Sequence, residues 1–422
     1  MKSLVICVAV AAAIVYEAAH AAAPLPEAKP EQVGFSQQGL ARMDDFFARE
    51  IAAKRVPGAV VAIARDGKLV HYKAYGQLDP VKGTPMPLDA LFALASMTKP
   101  MAAVGGLKLM EEGRLGLQAK VADYFPAFDA MKVGVVQADG SVKQEDQARP
   151  IFIHDLYRHT SGLMYGGRPD SASPLAKLYP GGIAPALEGD THAFMESITK
   201  LPLVHQPATE FEYGFSIDVL GAIIEKITSQ RLGDYLAKAM WEPLGMKDAT
   251  FHPSEAQRLR LARPFPNDPL TGKPQAITLL DKPTKFDCAG ACAFGTVGDY
   301  MRFGQMLLNG GVLDGHRILS PRTVQHMTSN HLVPEIKNNV GNVEPHRAGY
   351  GFGLGVAVRM EVGLASVPGN PGEYTWNGAY GTQYFCDPKE RLLVVVGTAA
   401  PGELRKYYRE QVQDIVYGAM VR

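Results

Sequence analysis

Near the start of the chain two apolar runs, Gly58-Ala-Val-Val-Ala-Ile-Ala64 and Leu69-Val-His-Tyr-Lys-Ala-Tyr75, flank the pair Asp66-Gly67. An Asp-Gly pair between such runs signals a β-hairpin, because both residues tolerate the positive φ angles of a tight turn between twisted strands. A lone hairpin cannot bury its faces in water. The other strand-like runs come late, at Gly351 to Val358, Tyr374 to Phe385 and Arg391 to Thr398. Between them, Arg114 to Phe286 breaks into helix-like pieces such as Phe194 to Ile198 and Ile217 to Ile227 among loops rich in Pro and Gly. The sheet must then be completed from both ends of the chain, around a mostly helical insertion. The expected division is residues 22–114 with 287–422 as one discontinuous domain and 115–286 as the insertion. Ser36 can cap a helix carrying Leu40, Met43, Phe46 and Phe47; Asp299 to Leu308, stopped by Asn309-Gly310-Gly311, and Glu403 to Val421 read as further helices.

Lys and Arg total 43, as do Asp and Glu, so the charge balance gives no reason to expect a nucleic-acid partner. Residues 1–21 read as a secretory signal: Lys2, an apolar stretch Leu4 to Val15 too short to span a bilayer, then the small-x-small site Ala19-His20-Ala21. Export to the periplasm or medium, with no stable membrane anchor, is the expectation. Cleavage would remove Cys7 and leave Cys288, Cys292 and Cys386. An oxidising compartment permits one disulfide, with Cys288 and Cys292 closest in sequence, but buried free thiols fit equally well. No His pair at ligand spacing accompanies them, so neither a metal nor another cofactor is expected.

Ser96-Met-Thr-Lys99 matches S-x-x-K, in which serine and lysine sit one helical turn apart and the amine can reach the hydroxyl. The apolar approach Leu91 to Ala95 and the apolar run Met101 to Met110 place the pair at the start of a buried helix, whose N-terminus favours developing negative charge on a substrate. A second match, Ser197-Ile-Thr-Lys200, runs into Leu201-Pro202 at a helix end and is a decoy. Further on, Pro207 to Gly221 sets Tyr213 just ahead of a helix, and Trp376-Asn377-Gly378-Ala379-Tyr380-Gly381 lies on a late strand.

These three elements in this order resemble the serine β-lactamase-related superfamily, specifically class C β-lactamases and family VIII carboxylesterases. Leu156 to Leu163, Gly295 to Tyr300 and Trp376 to Asp387 extend the likeness through most of the chain. The resemblance implies an α/β domain, an antiparallel sheet with helices on both faces, joined to a helical domain, with the site in the crevice between them. It implies Ser96 as nucleophile, Lys99 and Tyr213 together as base, and the backbone N–H groups of Ser96 and Ala379 as oxyanion hole. The chemistry makes one demand: an ordinary lysine, with a reference pKa of about 10.4, is protonated at neutral pH and cannot accept a proton. Burial, a cationic surrounding or a tyrosine relay must answer it.

Two departures bear on substrate. Trp376 stands where penicillin-recognising enzymes carry the lysine of K-T-G, and Phe215 replaces the asparagine of Y-x-N. Both losses disfavour a charged amide, while Trp376 and Phe215, with Asn377 and Gly378, would form an ester-binding wall. Gly214-Phe-Ser216 falls short of a G-x-S-x-G elbow, and His159 reads as a structural hydrogen-bonding residue. The expected function is a serine carboxylesterase acting on a small, short-acyl ester. The alternatives are a β-lactamase or DD-peptidase and, in a different class, a catalytically silent cell-wall-binding protein.

Overall fold

The computed structural model describes residues 24–167 and 174–422; the expected signal segment and Cys7 lie outside them. The hairpin forms as its turn residues dictate: β1 (Gly58–Arg65) and β2 (Lys68–Asp79) are joined by Asp66 at φ 57° and Gly67 at φ 71°. β3 (Thr84–Pro85) extends the edge beyond β2. The late segments supply β4 (Tyr350–Phe352), β5 (Ala357–Arg359), β6 (Tyr374–Asn377), β7 (Gln383–Asp387) and β8 (Leu392–Thr398). The sheet runs β4-β5-β6-β7-β8-β1-β2-β3, every neighbour antiparallel. Residues from the two ends of the chain meet at β1 and β8, where Ala62 pairs with Val395.

Both faces of the sheet are covered, which is why β1 is buried at every position and apolar from Gly58 to Ala64 rather than at alternate residues. Ala59, Val61 and Ile63 point to a core with Phe46, Phe47, Val412 and Val416, whereas Val60, Ala62 and Ala64 point to a second core with Met101, Val104 and Met306. Five helices frame these cores: α1 (Gln37–Ala52), α2 (Thr98–Glu111), α3 (Ser216–Thr228), α4 (Val297–Leu308) and α5 (Leu404–Gly418). Ser36 caps α1 by accepting the Gly39 N–H at 3.1 Å. α4 starts two residues before the Asp299 expected from sequence, because Thr296 accepts the Asp299 N–H at 3.0 Å and caps it.

α2 is buried on nearly all sides, with Met101, Ala102, Val104 and Leu107 at 0 % exposure. Its two inner glycines allow this: a Cβ on Gly106 would lie 2.2 Å from the Tyr157 hydroxyl, and one on Gly105 would lie 2.5 Å from Leu236 Cδ2.

Two long strands expected from sequence are each broken. Gly351 to Val358 is two strands, β4 and β5, reversed at Gly355 with φ 88°, and Tyr374 to Phe385 is β6 and β7, reversed before Gly381 with φ 108°. In both cases a glycine in the left-handed region turns the chain. The helical middle also holds a small hairpin, Val133–Val136 with Val142–Glu145. Among the described residues no helix is long and apolar enough to cross a membrane.

Candidate functional site

A short ladder of Phe92–Ala93 with Phe294–Gly295 brings the chain to the mouth of α2. Ala95 then adopts φ 46°, a left-handed conformation that costs a non-glycine residue on the order of 1 kcal/mol. The reversal leads into a 3₁₀ turn, Ala95–Met97, which carries Ser96, and α2 begins two residues later. Ser96 therefore sits on a tight turn in front of the helix rather than in it.

Lys99, fully buried in the first turn of α2, points its Nζ at three oxygens: Gly290 O at 2.7 Å, the Tyr165 hydroxyl at 3.1 Å and Ser96 Oγ at 3.4 Å. An ammonium has three N–H donors and no lone pair, so this arrangement suits a charged lysine. For the amine to take a proton from Ser96 it must first pass one on. Behind it, Tyr165 donates to Asp218 Oδ2 at 3.0 Å, and Asp218 Oδ1 accepts the Gly290 N–H at 2.9 Å. Burial pushes the Asp218 carboxyl above its ordinary range, opposed by the Lys99 charge and by these two hydrogen bonds.

Tyr213 approaches from the loop before α3, and its ring lies 4.6 Å from Lys99 Nζ. Its hydroxyl accepts the Trp376 indole N–H at 3.1 Å. Trp376, on β6, is covered by the Arg347 guanidinium, 4.5 Å from the ring, and Arg347 Nη2 donates to the Asn377 amide oxygen at 2.7 Å. His159, at φ 55°, holds the Tyr213 loop: its carbonyl accepts the Glu212 N–H at 2.8 Å and its ring packs 4.9 Å from that of Tyr213.

Ser96, Tyr213, Trp376, Asn377 and Ala379 line one cavity of about 500 Å³, along with Tyr165, Ala291 and Arg347. Two residues named from sequence as substrate contacts lie elsewhere. Phe215 is buried behind Tyr165, ring centroids 4.5 Å apart, and Gly378 turns its carbonyl to Arg409. Arg409 is paired with Glu344, and against the cost of burial Arg409 and Arg347 hold that carboxyl at about 2.

The decoys are accounted for locally. Ser197 bonds back to the Phe194 carbonyl at 2.8 Å, and Lys200 pairs with Glu196 at 2.8 Å on an exposed helix end. Ser216 is buried, its Oγ 2.9 Å from that of Ser161. Cys288 and Cys292 form a disulfide, while Cys386 is a buried thiol. Among the described residues no three His, Cys, Asp or Glu side chains are grouped as a metal site needs. Sequence reasoning missed Tyr165, Asp218, Arg347 and the Gly290 peptide. Only Asp218 carried a signal, five residues after Tyr213 in the same block.

A sheet covered on both faces, with a serine and a buried lysine at the head of its central helix, defines a class of enzyme. The chain matches the Beta-lactamase family over residues 43–416 and belongs to it; it is a serine hydrolase. It is 33% identical over 363 residues to protein Rv1367c of Mycobacterium tuberculosis, covering 82% of this chain and 87% of that one. It is 29% identical over 384 residues to esterase EstB of Burkholderia gladioli, covering 85% and 90%. The solved structure of EstCE1, a hydrolase with promiscuous acyltransferase activity, superposes with a TM-score of 0.72 at 26% identity, covering 90% of this chain and 99% of that one.

Proposed function

We propose that the protein is an exported serine esterase that cleaves small, short-acyl carboxylic esters through an acyl-enzyme on Ser96. The observation that carries this reading is Lys99 Nζ, buried 3.4 Å from Ser96 Oγ and 4.6 Å from the Tyr213 ring, behind a cavity that Ser96 and the Trp376-bonded Tyr213 both line. Likeness to EstB, an esterase by name, supports it. The division into a discontinuous α/β domain and a helical insertion, 115–286, belongs to the same reading.

In the first step the Lys99/Tyr213 pair enters one proton short, as amine beside phenol or ammonium beside phenolate, and takes up the Ser96 proton as Ser96 Oγ attacks the ester carbonyl carbon. Lys99 holds the hydroxyl from below, and the tyrosine oxygen, steadied by the indole N–H, is the exit for the proton. Charge developing on the carbonyl oxygen is met by the backbone N–H groups of Ser96 and Ala379, an arrangement typically contributing about 3 kcal/mol to the transition state. The collapsing intermediate expels the alkoxide, which takes the proton back. Water then attacks the acyl carbon by the reverse proton route and frees Ser96. An alcohol in place of water would give acyl transfer.

The test compares a short-chain nitrophenyl ester with a chromogenic cephalosporin, using wild type, Ser96→Ala and Ser197→Ala. Ester turnover is lost in the first variant and kept in the second. A cephalosporin turned over far better than every ester overturns the reading in favour of a β-lactamase.

A further inference from the structure

Gly290 lies midway between the two cysteines of the Cys288–Cys292 disulfide, and both sides of its backbone reach the site. Its carbonyl makes the shortest of the three hydrogen bonds to Lys99 Nζ, at 2.7 Å, and its N–H donates to Asp218 at 2.9 Å. A Cβ at this position would lie 2.3 Å from Asp218 Oδ2 and 2.6 Å from the Tyr165 hydroxyl, so the backbone itself is fitted against the charged chain. The next residue, Ala291, lines the cavity. Ala293 then ties the loop to the head of α2, donating to Thr98 Oγ1 at 3.1 Å and accepting from Leu94 N at 2.9 Å. Both cysteines are buried, at 3 % and 0 % exposure.

We propose that the Cys288–Cys292 bond is a positioning device for Lys99. By closing the loop it sets the Gly290 carbonyl and N–H on the lysine and on Asp218, so full hydrolytic activity requires the oxidised pair. The proposal rests on the reading of Lys99 given above. A dithiol such as dithiothreitol supplies two electrons and two protons; the S–S bond breaks, two thiols form, and the reductant closes to its own cyclic disulfide. The loop then loses its tie while Ser96, Lys99 and Tyr213 stay covalently unchanged.

Among the described residues, the charged and titratable groups facing Asp218 are Lys99 from α2 and Tyr165, and the Gly290 N–H donates to it as well. That N–H favours the carboxylate against burial, so its loss moves the protonation of Asp218 to higher pH.

The experiment compares wild type, Cys288→Ser/Cys292→Ser and Gly290→Ala on a nitrophenyl ester across pH, with folding checked by circular dichroism and Tm. Both variants should show kcat reduced at least tenfold, KM within twofold of wild type, and the acid limb of the profile moved to higher pH. Wild type refolded under dithiothreitol, its free thiols counted by alkylation and mass spectrometry, should show the same drop and recover on reoxidation. A lower Tm with kcat and acid limb unchanged in the folded double variant overturns the proposal, leaving the disulfide a plain structural staple. If the double variant does not fold, unchanged kinetics in Gly290→Ala overturns it instead. Absence of ester turnover in wild type is a failure of the enzymatic reading, and is seen separately in that arm.

Discussion

The indole N–H of Trp376 and the phenolic oxygen of Tyr213 are 3.1 Å apart, a hydrogen bond from β6 to the loop ahead of α3. The residue that removes a charge from the late strand thus keeps a donor aimed at the tyrosine. Trp376→Phe keeps an aromatic ring and removes the donor. Expected is a fall in kcat/KM of about tenfold or more, from loss of a bond that strengthens as charge gathers on the oxygen, by about 1.5–3 kcal/mol. KM should change little; a kcat equal to wild type on steady-state ester kinetics contradicts the role.

Tyr213→Phe should slow acylation severely while leaving Tm within a few degrees, because the ring contacts with His159 and Trp376 remain. Stopped-flow burst kinetics separate acylation from deacylation; a near-normal burst rate removes the tyrosine from the proton route.

Arg409 is buried at 1 % exposure, paired with Glu344 and bonded to the Gly378 carbonyl at the turn that presents Ala379. Arg409→Met takes the directly bonded cation from the buried Glu344 carboxylate and leaves it the neighbouring Arg347 and His346, at a cost of about 3 kcal/mol. Chemical denaturation should show that loss. Adding Glu344→Gln should recover part of it, since the poorly compensated charge is gone; no recovery contradicts the pairing argument.

Gly106→Ala tests the packing of α2. Alanine is the better helix former by about 1 kcal/mol, yet here its Cβ would meet the Tyr157 hydroxyl at 2.2 Å. The steric effect should win, with a net loss of about 1–3 kcal/mol. Adding Tyr157→Phe should restore part of the stability in the same melt.

His71 is buried beside Tyr75, and burial lowers its pKa from 6.5 to about 4, partly opposed by Asp44. The unfolded chain takes up this proton as pH falls through about 6.5, and the folded chain only near 4. Stability from this group is therefore present above 6.5 and lost on acidification through that window. Compared with wild type, His71→Gln should show a shallower fall in Tm between pH 6.5 and 4; parallel curves contradict the assignment.

What the sequence disclosed follows from the range of the forces involved. The Asp66-Gly67 turn and the Ser36 cap are decided within a few residues, so they were legible. The approach of Lys99 to Ser96 was legible because a separation of three residues at a helix start brings the two side chains together, here to 3.4 Å. Tyr165 reaches Lys99 across 66 positions with no local pattern to mark it, and Arg347 covers Trp376 from a distant loop. The turn at Gly355 was read through because the residues on both sides of it stay apolar, whereas at Gly381 the Asn377-Gly378 pair was a turn signal left unused. The disulfide stayed open, since spacing alone does not separate a bridge from two buried thiols.

The neighbour that β1 needs on its inner edge is β8, whose residues Leu392–Thr398 are synthesised some 330 positions after it. Until they arrive, the first hairpin carries an open row of amides and carbonyls, an invitation to self-association. On the function proposed above the chemistry waits as well: Trp376 and Ala379 follow Ser96 by some 280 positions, so a chain that stopped short of them would hold the serine and be inert. Completing such a site would await long-range strand pairing, which is slow by nature.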